Sequence, residues 1–250
     1  MKTLKQILLL LFVVILITSC AKKESLVETD LAEDLLYKKA IDYYNDRKWD
    51  KAVEFFQKYI FTYPANRNTE YAQYYLADAY FNKKAFTEAI VEFEYFVKNY
   101  NTYNLKKDAT YKLCISYYKL SPSYQFDQTL TINAISFMRD FLSTYYEDEK
   151  KNEIDSLHSI LVSRLEEKKL HTGDFYNRIK KYRAAEIYYS LITPENLLPQ
   201  YIDRYYFSLG KVLFNLGEYK RALENLTKVK ENSKYYKNSR KMILKITKML

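Results

Sequence analysis

Glycine and proline are scarce, with three and four residues in a chain of 250, far below ordinary usage. That scarcity excludes an architecture rich in tight turns and favours long helices with short connections. The two cysteines, Cys20 and Cys114, are too few for a disulfide framework. The two histidines, His158 and His171, stand thirteen residues apart, which is not a useful ligand spacing. No nucleotide loop, serine elbow or Cys/His metal spacing occurs. Acidic pairs such as Glu166/Glu167 and Asp148/Glu149 lie among lysines and read as a solvated charged face. The expectation is a protein with no catalytic centre, metal site or cofactor.

Tyrosine is abundant, at 28 residues. It tolerates half-burial, ring packed and hydroxyl wet, which suits thin two-layer helical packing and a groove surface. Five times a residue stands three places before an alanine, with a large apolar residue four places further on. The set is Trp49–Ala52–Phe56, Phe86–Ala89–Phe93, Thr131–Ala134–Met138, Tyr182–Ala185–Tyr189 and Tyr219–Ala222–Leu226, with Thr131 the weakest member. The alanines are 37, 45, 51 and 37 residues apart, near the ~34-residue tetratricopeptide period with insertions. Each such unit is a helix–turn–helix that cannot bury its apolar face alone, so units stack into a solenoid whose groove binds peptides or proteins. The fold predicted is an all-α tetratricopeptide-repeat solenoid of about five units plus a C-terminal helix.

The first unit pairs helices near Leu31–Asn45 and Trp49–Tyr63, and the second runs from Thr69, as N-cap, to Tyr100. The third begins near Leu105 and breaks at Ser121-Pro122. After that interruption Asp127 or Thr129 caps the next helix. A long helical pattern over 148–178 carries the stripe Ile154, Leu157, Leu161, Leu165 and Phe175, with Gly173 allowing close packing or a kink. A helix over Tyr182–Ile192 completes the fourth unit. The fifth is the cleanest, and Ser233 caps a last helix bearing Ile243, Ile246 and Leu250.

Residues 1–19 read as a secretory signal: Lys2 and Lys5, the apolar run Ile7–Ile17, then Ile17-Thr18-Ser19-Cys20. The run is short for a bilayer span. The Ile-Thr-Ser-Cys ending resembles a bacterial lipobox, which implies acylation of Cys20 and leaves residues 20–30 as a lipidated linker before a solenoid over 31–250. With Cys20 acylated, no intramolecular disulfide is possible, and Cys114, inside an apolar pattern, reads as a small core residue. Ala21, not an acidic residue, follows Cys20, favouring the outer membrane under the bacterial sorting rule. The formal charge is +9, and the excess gathers at the C-terminus, where eight basic residues from Lys228 to Lys248 face only Glu231. That excess suits an acidic partner, anionic lipid headgroups, or simply a solvated capping helix. Nucleic acid is a poor candidate for an exported chain.

Beyond the general repeat, five stretches carry a more specific likeness: Trp49-Asp50-Lys51-Ala52 with Tyr63-Pro64, Leu76-Ala77-Asp78-Ala79-Tyr80, Asp127-Gln128 with Ala134 and Phe141, Glu166–Lys169 leading to Asp174-Phe175-Tyr176, and Tyr182-Arg183-Ala184-Ala185. Together with the lipobox, the chain from Leu31 to Leu226 resembles the BamD family, lipoproteins of the outer-membrane β-barrel assembly machine. The resemblance implies a non-enzymatic protein facing the periplasm. It implies C-terminal repeats docked on a POTRA domain of the barrel-forming BamA, and N-terminal repeats receiving targeting segments of unfolded barrel proteins. The family's substrate-recognition tyrosine falls on Tyr63, with Tyr37, Tyr44, Tyr71 and Tyr74 as neighbours. A family arginine used for the POTRA contact falls on Tyr188, so Arg183 or Arg178 would substitute, with Lys237, Arg240 and Lys241 adding basic contacts. The alternative reading is another envelope scaffold lipoprotein serving secretion, a pilus or envelope maintenance.

Overall fold

The computed structural model describes residues 32–250. The signal at 1–19, the lipidation site Cys20 and the linker to residue 30 lie outside the described residues. Among the described residues every regular element is helical. They are α1 (32–45), α2 (Trp49–Thr62), α3 (Thr69–Asn82), α4 (Phe86–Asn99), α5 (Tyr103–Leu120), α6 (Thr129–Thr144), α7 (Lys151–Arg178), α8 (Tyr182–Ser190), α9 (Pro199–Asn215), α10 (Tyr219–Leu226) and α11 (Tyr236–Thr247). This is the all-α tetratricopeptide-repeat class that the alanine spacing predicts. Two compact units divide the described residues, one up to Ser116 and the other Tyr117–Leu250, with the boundary inside α5.

In the first unit Ala52, Phe56 and Tyr59 recur along one face of α2 and are fully buried, against Ala40 of α1 and Ala72, Leu76 and Ala79 of α3. Ala89 with Phe93 and Phe96 does the same from α4. A methyl group at each repeat alanine lets the paired helices approach closely, and the aromatics fill the flanking space. The turn inside each pair has a fixed backbone form. Arg47, Lys84, Lys180 and Gly217 all have positive φ, between 59° and 79°. Each stands two residues before the second helix of its pair. The next amide closes the same bond in each case, Lys48 to Tyr43 O, Ala85 to Tyr80 O, Lys181 to Tyr176 O and Glu218 to Leu213 O, all at 2.9 Å. Only the fifth unit places glycine there. The other three hold a basic residue in the left-handed region against a cost of about 1–2 kcal/mol.

In the second unit α7 runs unbroken over 28 residues. Gly173 marks close approach and not a kink, because a Cβ there would stand 2.5 Å from the buried Tyr189 ring of α8. Gly210 lies as tightly under Leu226 of α10, at 2.6 Å. Ala134, Ala185 and Ala222 are fully buried, and so is Thr131, whose hydroxyl donates to Gln128 Oε1 at 3.0 Å. A buried threonine therefore fills the aromatic's place in the interrupted unit.

Several local expectations need correction. Thr69 is the first residue of α3, not its cap, and its hydroxyl donates to Tyr63 O at 2.6 Å. Ser233 lies outside α11, whose N-cap position is Tyr235; its Oγ accepts the Tyr235 amide at 3.2 Å. Phe175 is exposed, while Ile154 and Leu161 of the same stripe are fully buried. Glu166 is buried and not a solvated charge: its carboxylate accepts Lys169 Nζ at 2.9 Å and the Thr193 amide at 3.2 Å. Leu250 is exposed.

The buried alanines make a direct test. Ala89→Leu and Ala222→Leu should each lower stability by about 1–3 kcal/mol through overpacking, read as a fall in thermal midpoint. Unchanged midpoints in both variants would mean the repeat register is wrong.

Candidate interaction surfaces

The backbone fixes Tyr63 firmly. It ends α2, donates its amide to Tyr59 O at 2.8 Å, and accepts the Thr69 hydroxyl on its carbonyl. Its ring tilts against Tyr59 at 5.4 Å and remains half-buried. The Tyr59 hydroxyl lies 3.0 Å from both Glu33 Oε1 and Asn66 Oδ1, which anchors that ring from behind. Tyr37 leans on the other side of Tyr59 at 5.2 Å. Burial, then the neighbouring Tyr75 and Tyr71, push its phenol up to about 12. Tyr71 is exposed. Phe61, two residues before Tyr63 and 88% exposed, carries apolar surface that the sequence reading passed over.

Tyr74 belongs to the interior, and Tyr44 is half-buried with its hydroxyl committed to the fold. Tyr44 donates to Asp78 and Tyr74 to Asp108, each pair 34 residues apart. Between the two carboxylates sits Lys112 Nζ, 2.6 Å from Asp78 Oδ1, 2.7 Å from Asp108 Oδ2 and 3.0 Å from Tyr74 Oη. Asn82 also donates to Asp78 Oδ2, at 3.0 Å. Burial, reinforced by those carboxylates, drives both phenols far above their ordinary range. Burial works against the Lys112 charge, yet the two aspartates outweigh it and hold its pKa above the usual lysine value. Tyr74 is only 7% exposed, so its ring is committed to the fold and the expectation of a ligand contact there is corrected. Of the five tyrosines, Tyr71 is exposed and Tyr63, Tyr37 and Tyr44 are half-buried, so all four keep ring surface.

In the second unit the expected partner residues fall on three elements. Arg178 is exposed at the end of α7. On α8, Tyr188 stacks on Tyr176 at 5.2 Å and 11°, half-buried. Arg183 is exposed, but its charge is matched within the fold, at 2.7 Å from Glu186 and 2.9 Å from Glu218. Arg221 closes the ring on the same two carboxylates. That neutral four-membered cluster ties α8 to α10. Ile187 on α8 and Leu191 at its C-terminal cap, one turn apart, are exposed and add apolar area beside Tyr188. Lys237, Arg240 and Lys241 are exposed on α11, which is fixed from below by Ile246 and by the buried Ser239 hydroxyl donating to Leu226 O at 2.7 Å. Arg240 lines an open pocket of about 440 Å³ with Lys228, Lys230 and Tyr236, where Glu231 is the one acidic group.

His158 is half-buried on α7, and His171 is held by its neighbours. The His171 ring stacks on Tyr124 at 3.9 Å and 4°, with Arg204 nitrogens 3.2 and 3.4 Å from its own. Burial first, then the Arg204 charge, lowers its pKa. Among the described residues no cluster of side chains has the makings of a metal site, and no helix is long and apolar enough to cross a membrane.

Compared with known families, residues 29–197 match the family described as YfiO, outer membrane lipoprotein. That agrees with the BamD resemblance carried by the motifs. No curated protein matches the chain. Solved structures that do match include a tetratricopeptide-repeat protein from Bacteroides fragilis, at 16% identity and a TM-score of 0.40 over 87% of this chain and 99% of that one. Another is the TPR2AB domain of yeast Sti1, at 15% identity and 0.40 over 79% and 76%. A third is a Thermus thermophilus repeat protein, at 14% identity and 0.36 over 86% and 98%. At these scores the likenesses add nothing to the helical pairing already described.

Proposed function

Since the chain belongs to the YfiO family of outer membrane lipoproteins, we propose that it is a lipid-anchored, periplasm-facing scaffold for the assembly of β-barrel outer-membrane proteins. The observation that carries this reading is the family match over residues 29–197, which draws on both helical units. The half-exposed aromatic surface of the first unit suits segments of alternating apolar and aromatic residues, since tyrosine offers apolar area and a hydroxyl together. Tyr63 is its centre, with Tyr37 and Tyr71 beside it. The second unit offers Arg178, Tyr188 and the basic α11 to a BamA-like POTRA domain. Binding and scaffolding, not catalysis, are the activities proposed, and no cofactor enters them.

Co-purification from membranes tests the role as a whole: recovery of a BamA-like barrel protein supports it, and recovery of other envelope proteins alone replaces it with a different scaffold. For the substrate surface, Tyr63→Ala should weaken photocrosslinking to C-terminal peptides of barrel proteins several-fold while leaving the helical circular-dichroism signal unchanged. Undiminished crosslinking discards that surface. For the partner surface, truncation after Val229 removes α11. Charge attraction acts mainly on association rates and is screened beyond about 8 Å at physiological salt. The truncated chain should therefore associate more slowly and with less salt dependence, and an unaltered on-rate returns α11 to a solvated cap.

A further inference from the structure

The segment 121–128, which interrupts the third repeat, does not hang free of the second unit. Two side chains of α7 reach its main chain with three hydrogen bonds. Arg164 donates to Ser121 O at 2.8 Å and Pro122 O at 3.2 Å, and Lys168 donates to Phe126 O at 2.7 Å. One turn further along the same helix, His171 receives the flat face of Tyr124. Arg164, Lys168 and His171 are spaced i, i+4, i+7, so they share one face of α7. On the neighbouring α9, Arg204 flanks the His171 ring, and Tyr201 donates to Glu167 at 2.7 Å. Gln128 completes the arrangement by donating to Ser123 O at 2.9 Å and Phe126 O at 3.0 Å.

Side-chain donors aimed at main-chain carbonyls, with a planar ring platform between them, hold a turned peptide without regard to most of its side chains; the segment turns over Ser123–Phe126, where the Phe126 amide donates to Ser123 O at 3.1 Å. We propose that this face of α7 is a peptide-binding site occupied in cis by the chain's own segment 121–128. Its exchangeable ligand is a turn-forming segment of the same kind, which places an aromatic residue on His171 and carbonyls under Arg164 and Lys168. The resident segment is suited to exchange. Ser123, Gln125 and Asp127 are exposed, Phe126 is 63% exposed, and Tyr124 is only half-buried. Segments with so few buried apolar contacts open at low free-energy cost. The platform itself is independent of them, because α7 is held by Ile154, Leu161, Leu170 and Gly173, all buried. An intramolecular occupant acts at an effective concentration in the millimolar range, so a competitor must bind well or arrive when the segment is released.

The test uses the full chain and a fluorescent synthetic peptide of residues 120–129 as the probe. One variant replaces residues 122–127 by a glycine–serine linker of equal length, and a milder one is Tyr124→Gly. Fluorescence anisotropy should show saturable binding to both, at least about tenfold tighter than to the parent chain. Adding Arg164→Ala to either variant should weaken it several-fold, as should Tyr to Ser in the peptide. If the linker variant loses its helical signal, the Tyr124→Gly chain decides. Equal binding to parent and opened chains, no binding to a folded opened chain, or indifference to Arg164→Ala would each overturn the proposal. It does not rest on the barrel-assembly role, and failure of either leaves the other standing.

Discussion

Replacing Lys112 by methionine is expected to cost the first unit about 3–5 kcal/mol, the scale for removing one partner of a buried ion pair. Asp78 is 3% exposed, and without the ammonium 2.6 Å from it its charge is stranded out of water. The Tyr44 and Asn82 donors alone do not neutralise it. Asp108 is more exposed and rehydrates, so the loss falls mainly on Asp78. A domain has only about 5–15 kcal/mol in hand, so Lys112→Met should lower the chemical denaturation midpoint sharply. Lys112→Met combined with Asp78→Asn should recover much of the loss, because no buried charge is then left unpaired. A single variant as stable as the parent would mean that the cluster is hydrated and contributes little. The same network keeps Tyr44 and Tyr74 turned into the fold, so its removal should also disturb the aromatic surface next to Tyr63.

That network shows where reading the sequence stops. All five repeat alanines are fully buried, because one small residue per unit is a local requirement with a fixed spacing. Helix ends fell within a few residues for the same reason: Pro64, Pro122 and Pro199 mark the breaks. Which face of a helix meets which neighbour is decided one repeat away. Asp78 is the partner of Tyr44, Asp108 of Tyr74 and Glu167 of Tyr201, each at a separation of 34 residues. A search for tyrosine–carboxylate pairs at the repeat period would have found them, and would have moved Tyr74 from the candidate surface to the interior. Glu166 misled because its own helix surrounds it with charge, while the amide that buries it comes from Thr193, beyond α8. The left-handed turn residues Arg47, Lys84 and Lys180 carry no local signal at all, since only Gly217 looks like a turn. The interruption at 121–128 was visible as a break, but its docking on α7 was not.

The largest effect on localisation is expected from Cys20→Ala, which should release the chain from the membrane. A member of an outer membrane lipoprotein family needs a cysteine to acylate, and this chain has two. Cys114 is fully buried in the middle of α5, out of reach of a lipid-transferring enzyme once folded. Cys20 follows Ile17-Thr18-Ser19 at the end of the apolar run. No helix among the described residues is long and apolar enough to hold the chain in a bilayer by itself. Each buried CH₂ of an acyl chain contributes about 0.8 kcal/mol, and a single chain gives only marginal, reversible binding. Several chains on Cys20, as the lipobox resemblance implies, would make a stable anchor, and losing them all at once is expected to be close to all-or-none. Metabolic labelling with palmitate should mark the parent and a Cys114→Ala control, and leave Cys20→Ala unlabelled. On fractionation the Cys20→Ala chain should accumulate as unprocessed precursor or leave the outer-membrane fraction. Labelled, normally fractionating Cys20→Ala protein would overturn the proposed anchor and, with it, the proposed periplasm-facing location of the chain.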